Sequence, residues 1–164
     1  ALARGLAWGT GKPLAAVGSL EAMLAELPAG HRLASLRARD GESYVAWQPA
    51  DADVPEEFLV ADSMLPELLR TRCAARPVHL AHPPDHAPVW QQAVRAAGIE
   101  VQLLRLEGPT AAGIARVAMA RPDLWNSPLA CTPRYLAASE AETKAGTILE
   151  AAALPSRSRL GAGD

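Results

Sequence analysis

The sequence is poor in the residues that mark specialised chains. It holds two cysteines, one phenylalanine and two lysines in 164 residues. Two cysteines cannot staple a chain this long, which excludes a disulfide scaffold. Basic groups number 16 against 18 acidic ones, for a net charge of −2, and apart from Lys12 and Lys144 they are all arginine. They are scattered and form no basic stripe. Duplex binding by this chain alone is therefore disfavoured, because it needs clustered cations to displace counterions. No run of about 18 residues is free of charge, proline and glycine, so a spanning helix is excluded. Residues 1–27 show no basic start followed by an unbroken apolar stretch, so they carry no secretory-signal pattern.

Large apolar side chains are also scarce. Of 81 hydrophobic residues 35 are alanine, and Val, Ile, Leu and Phe together number 35. That share approaches the range of disordered chains. The small net charge argues the other way, since disordered chains combine low hydrophobicity with self-repulsion. One ordinary domain or two small lobes is the expected size. Cys73 and Cys131 read as buried thiols of a reducing compartment, and a cytoplasmic location is expected.

Hydrophobic spacing and breakers outline the elements. Leu2 and Leu6 share a helical face over Ala1–Trp8, and Gly9-Thr10-Gly11 followed by Pro13 ends that helix. Leu14–Val17 reads as a buried strand. Ser19 is placed to cap a helix with Leu20, Met23, Leu24 and Leu27 on one face. Leu33–Arg39 and Tyr44–Gln48 alternate around Asp40-Gly41, the signature of a two-residue hairpin turn. Phe58–Val60 reads as a strand, and Asp62 or Ser63 is placed to cap a helix to about Arg76. Val78–Ala81 reads as a strand, residues 87–97 as a helix closed by Gly98, and 99–104 as a strand. Thr110 should cap a helix to Ala120 with Ile114, Val117 and Ala118 inward. Residues 126–135 read as extended. Ser139-x-x-Glu142 forms a capping box for a last helix to about Ala153, and 155–164 read as a frayed tail. The order predicts an α/β domain with a mixed sheet and flanking helices.

Few residues offer chemistry. His82-Pro83-Pro84-Asp85-His86 has the i, i+4 spacing of helical zinc ligands, but two prolines forbid a helix between them and no third ligand is evident. The expectation is a strand-to-helix loop with solvated imidazoles. Asp51, Asp53, Glu56 and Glu57 read as a solvated acidic loop. Ser19, Ser35, Ser43 and Ser127 have no Gly-x-Ser-x-Gly elbow around them. Gly9-Thr10-Gly11-Lys12 follows a helix rather than a strand, so it would not cradle phosphate. No catalytic set, metal site or cofactor site is predicted. Two features suggest interaction instead. The opening helix interleaves small residues with Leu2, Leu6 and Trp8, and Tyr135 lies in an extended segment.

Three segments in order resemble one family. Residues 3–22 (ARGLAWGTGKPLAAVGSLEA) resemble the helix, strand and helix that follow the glycine-rich loop of the TsaB (YeaZ-like) family, within the TsaD-like glycoprotease (peptidase M22-like) group. Residues 36–44 (LRARDGESY) resemble its hairpin, and 133–141 (PRYLAASEA) its Pro-x-Tyr-Leu-Arg segment. The family's opening Asp-Thr-Ser strand and Gly-Pro-Gly-Ser-Phe-Thr-Gly loop have no counterpart, as if the chain opened just after them. Arg37 stands where the family has Asp, and Ala137 where it has Arg, so roles at those positions do not transfer.

The resemblance implies an actin-like ATPase / RNase H-like fold with an incomplete first lobe. Residues 1–30 would be the remnant of that lobe, 31–150 the second lobe and 151–164 a flexible tail. It implies a non-catalytic scaffold that pairs with a TsaD-type catalytic subunit in forming threonylcarbamoyladenosine (t6A) on tRNA. A TsaE-type ATPase would be a further partner, the chain would self-associate as a homodimer when alone, and tRNA would be met only through the complex. Leu2, Leu6 and Trp8 would form the partner interface. The alternative is an M22-like metallopeptidase using His82 and His86.

Overall fold

The computed structural model describes residues 2–73 and 77–132. Helix α1 (Leu2–Thr10) ends where Gly11 adopts φ 64°, a left-handed conformation that glycine takes without strain. Strand β1 (Leu14–Ala15) is shorter than expected. Helix α2 (Ser19–Leu24) follows, with Leu20, Met23 and Leu24 buried. Its cap position is Gly18, with no side-chain cap bond, so Ser19 does not play the role its sequence suggests.

The hairpin is as expected in place and different in its turn. Strands β2 (His31–Arg37) and β3 (Glu42–Gln48) pair antiparallel from Arg32–Gln48 to Arg37–Ser43. The turn is longer than a two-residue connection. Residues 38–42 are closed by the Glu42 N–H on the Arg39 carbonyl and the Ala38 N–H on the Glu42 carbonyl, both at 3.0 Å. Gly41 at φ 77° supplies the left-handed position such loops need. Strand β4 (Glu56–Ala61) adds antiparallel to β3.

A short 3-10 turn, Asp62–Met64, leads into α3 (Leu65–Cys73) without a side-chain cap. Strand β5 (Val78–His82) lies parallel to β2. Helix α4 (Ala87–Ala97) ends at Gly98 with φ 68°, as its sequence predicts. Strand β6 (Val101–Arg105) lies parallel to β5. Helix α5 (Ala111–Ala120) is capped by Thr110, whose hydroxyl accepts the Gly113 N–H at 2.9 Å. Strand β7 (Trp125–Asn126) pairs antiparallel with β1. The expected helix after Ser139, the tail, and the Pro133–Tyr135 end of the extended segment lie outside the described residues.

The sheet order is β4-β3-β2-β5-β6. Three antiparallel strands followed by two parallel ones give the RNase H-like arrangement of a mixed sheet between helices. One face carries Leu33, Val45, Trp47, Val78 and Leu80, packed under Leu65 and Leu69 of α3 and Trp90 and Ala93 of α4. The other carries Ala34, Ala46 and Ala81, covered by Leu20, Met23, Leu24 and Leu27. Alanine at these three positions lets α2 lie close to the strands. That accounts for a chain rich in alanine yet fully able to form a core.

Helix α5 packs on α2 at backbone distance. A Cβ on Gly113 would stand 2.3 Å from the Ala22 carbonyl oxygen. Thr110 donates to Glu26, and Arg116 pairs with Glu26 at 2.8 Å. Arg121 pairs with Glu21 at 3.1 Å. Ile114, expected inward, is 41% exposed, and Gly113 takes the inward place. The reason is steric: α2 approaches too closely for a branched side chain at the contact line.

Candidate functional site

Helix α1 is attached along one narrow line. Ala7 is buried and Arg4 half-buried, three residues apart and so on one side of the helix. The Arg4 guanidinium donates to the Cys131 carbonyl, and β1 lies beside the helix end. Everything else along α1 faces outward. Leu2 is 79% exposed, Leu6 61% and Trp8 68%. Leu2 and Leu6 form one ridge, with Gly5 and Gly9 beside it and open space above both glycines. Trp8 stands roughly 200° round the helix from Leu6, on the flank, so the three apolar side chains do not form a single face. Adjacent glycines without side chains leave the α1 backbone open to close approach by another helix. Exposed leucines on such a ridge favour association.

A second cluster lies in the core. Ser35 of β2 and Ser43 of β3 occupy inward positions of the sheet and are fully buried. The chain after β5 brings His86 between them. Its Nδ1 lies 3.4 Å from Ser35 Oγ and its Nε2 3.1 Å from Ser43 Oγ. Ser43 donates to Asp62 Oδ1 at 2.5 Å. A carboxylate only accepts, so Ser43 spends its proton on Asp62 and must accept from His86 Nε2–H. Nδ1 is then the acceptor for Ser35. Burial holds the His86 pKa below its ordinary value, against the pull of Asp62 and Asp85. His82 is equally buried, with Nδ1 2.7 Å from the Pro83 carbonyl.

The expectation of solvated imidazoles is therefore corrected: both rings are 1% exposed. Ser35 and Ser43 engage the His86 ring, and the Pro83 carbonyl that of His82. This row of Ser, His, Ser and Asp is not a nucleophilic triad, because the serine rather than the histidine contacts the carboxylate and both serines and the imidazole are buried. Among the described residues no group of three His, Cys, Asp or Glu could hold a metal ion.

The remaining features are quickly placed. Asp51 and Asp53 are exposed, whereas Glu56 pairs with Arg72 at 2.9 Å. Glu57 borders a cavity of about 660 Å³ between α2 and the start of β4. Val17, Leu36, Val54, Pro55 and Tyr44 form its walls, with the Arg121–Glu21 pair at one edge. Cys73 is buried and its thiol pKa is pushed up to about 11 by burial. Cys131 is half-buried, with Sγ 3.3 Å from the Leu14 carbonyl. Among the described residues no helix is long and apolar enough to cross a membrane. Sequence reasoning missed the Ser35–His86–Ser43–Asp62 row. The signal was there: serine twice at inward positions of strands otherwise lined by Leu33, Val45 and Trp47.

No protein-family model matches the chain, and no curated protein matches its sequence. Solved structures do. A protein from Pseudomonas aeruginosa described as uncharacterised and similar to peptidase YeaZ is 21% identical, with a TM-score of 0.61. The match covers 83% of this chain and 64% of that one. YeaZ from Pseudomonas aeruginosa gives 21% identity and a TM-score of 0.61 over 82% of this chain and 65% of that one. The chain thus spans just under two thirds of the length of these neighbours. At this identity the likeness shows the fold, an α/β fold of the YeaZ and actin-like type.

Proposed function

We propose that this chain is a TsaB-type scaffold subunit. It pairs with a TsaD-type catalytic subunit that transfers a threonylcarbamoyl group to the tRNA adenosine next to the anticodon. The single observation that supports this reading most is α1, a helix held along one line whose Leu2 and Leu6 ridge lies open. The fold shared with YeaZ and the three family-like segments support it further.

The physical logic is simple. An apolar ridge beside Gly5 and Gly9 admits a second helix at short distance, and burying Leu2 and Leu6 would contribute about 1.5–3 kcal/mol each. Trp8 adds contact area on the flank. The same ridge serves self-association when no partner is present, tRNA is reached through the complex, and a TsaE-type ATPase is a further partner. A peptidase reading draws no support from His82 and His86, whose rings are engaged inside the core.

Size-exclusion chromatography of the chain mixed with a TsaD-type subunit tests the proposal. Co-elution as a complex is expected. Separate elution at micromolar concentrations of both would overturn it.

A further inference from the structure

The cavity beside α2 opens where that short helix, Ser19–Leu24, leaves part of the sheet uncovered. Leu36 of β2 and Tyr44 of β3 stand opposite each other there, on the face of Ala34 and Ala46. Both are half-buried against the cluster around Leu20. With Val17, Val54 and Pro55 they give the cavity apolar walls. Its volume of about 660 Å³ is that of a small-molecule site.

Two carboxylates from different elements meet at its edge. The register places Glu57 of β4 opposite Ala46, so its side chain stands on the same face as Leu36 and Tyr44. Glu21 comes from the first turn of α2. Both reach the space over Gly18. A Cβ built on that residue would stand 3.2 Å from Glu57 Oε1 and 3.8 Å from Glu21 Oε2, so the two oxygens are at most about 7 Å apart. Gly18 has φ −65° and ψ 140°, a conformation open to any residue, so its backbone does not call for glycine. The space over it does, because a side chain there would press on the Glu57 carboxylate.

Among the described lining residues the one cation is Arg121. It bonds Glu21 Oε1 at 3.1 Å and Asp123 at 2.7 Å, so its single charge is shared by two acids. No hydrogen bond to Glu21 Oε2 occurs among the described residues. The cavity thus joins apolar walls to a surplus of negative charge. Like charges this close repel, more strongly beside apolar walls than in bulk water, and a cation between them removes the repulsion. A bare metal ion has no use for the walls, and among the described residues no group of three His, Cys, Asp or Glu could ligate it.

We propose that this cavity binds a small organic cation, with its ammonium or guanidinium head between Glu21 Oε2 and Glu57 Oε1 and its apolar body against Val17, Leu36 and Tyr44. The Tyr44 ring suits an aryl body. The site stands independently of the docking reading, and failure of either leaves the other in place.

Nuclear magnetic resonance titration of the full chain tests it with probes of one shape and different charge, at equal ionic strength. Phenethylamine is the cation, phenethyl alcohol the neutral match and hydrocinnamate the anion. The backbone amides of Gly18, Ser19 and Tyr44 should shift and saturate with the amine. The alcohol should bind at least tenfold more weakly, and the anion should show no saturation. Glu57→Gln should weaken binding of the amine about tenfold, the size of one charge-assisted hydrogen bond, and leave that of the alcohol unchanged. Should Glu57→Gln fail to fold, the ranking of the probes on the parent chain decides the matter alone. No saturable shift with the amine, or an alcohol or anion that binds as tightly, would overturn the proposal. A folded Glu57→Gln chain that binds the amine as the parent does would overturn it too.

Discussion

Replacing Gly113 by alanine adds one methyl group at the close contact of α5 with α2. The new Cβ would lie 2.3 Å from the Ala22 carbonyl oxygen, 3.1 Å from its carbon and 3.1 Å from Glu26 Oε1. Neither backbone atom can move without displacing α2, which is seated on Ala34, Ala46 and Ala81. Helix α5 must therefore retreat by roughly 1 Å in a close-packed interior. That retreat loosens the packing of Val117 and Ala118 and strains the Thr110 and Arg116 bonds to Glu26. Overpacking of this kind costs about 1–3 kcal/mol. Exchanging glycine for alanine inside a helix returns up to about 1 kcal/mol. The net loss should be about 1–2 kcal/mol, or roughly 2–8 °C in Tm for a chain of this size. Thermal unfolding followed by circular dichroism reads it directly. Gly5→Ala is the matched control, since nothing lies within 4 Å of that position and φ there is not positive, so it should hold or raise Tm. A Gly113→Ala protein as stable as the parent would refute the close seating of α5 on α2.

Three further outcomes are expected. His86 has a depressed pKa in the folded chain, so below about pH 6.5 the unfolded chain binds more protons than the folded one. Stability should fall as pH drops through that window, and urea midpoints at pH 7.5 and 5.5 should show a smaller difference in His86→Gln than in the parent. An equal difference in both would exclude His86 as the cause. Cys131 should react with a thiol reagent at neutral pH before Cys73, whose buried thiol titrates near 11; comparable rates would contradict the burial of Cys73. Thr110→Ala removes the cap of α5 and its bond to Glu26, and should cost about 1–2 kcal/mol in denaturant unfolding while Thr110→Ser stays near the parent.

Much of this architecture is legible along the chain, and the failures share a cause. Gly98, Thr110 and Asp40-Gly41 mark a helix end, a helix start and a turn because backbone geometry at those points depends on one or two residues. Alternation in Leu33–Arg37 and Tyr44–Gln48 places both faces of the hairpin correctly. Ile114 and Ser19 misled because their places depend on a partner distant in sequence. Helix α2 sets the inward side of α5, and the approach of the chain to α2 leaves its cap to Gly18. His86 misled for the same reason, since only strand register reveals the serines that engage it. The residues proposed for docking were visible as an apolar pattern, but only the seating of α1 shows that Leu2, Leu6 and Trp8 all stay exposed.

The most direct test of the docking reading is the dissociation constant of the chain with a TsaD-type subunit, by calorimetry, for the parent and for the Leu2→Glu/Leu6→Glu variant. Both residues are exposed, so the variant should unfold at the parent temperature. The account predicts affinity weakened at least tenfold, the equivalent of about 1.4 kcal/mol. An unchanged dissociation constant with a well-folded variant would contradict it.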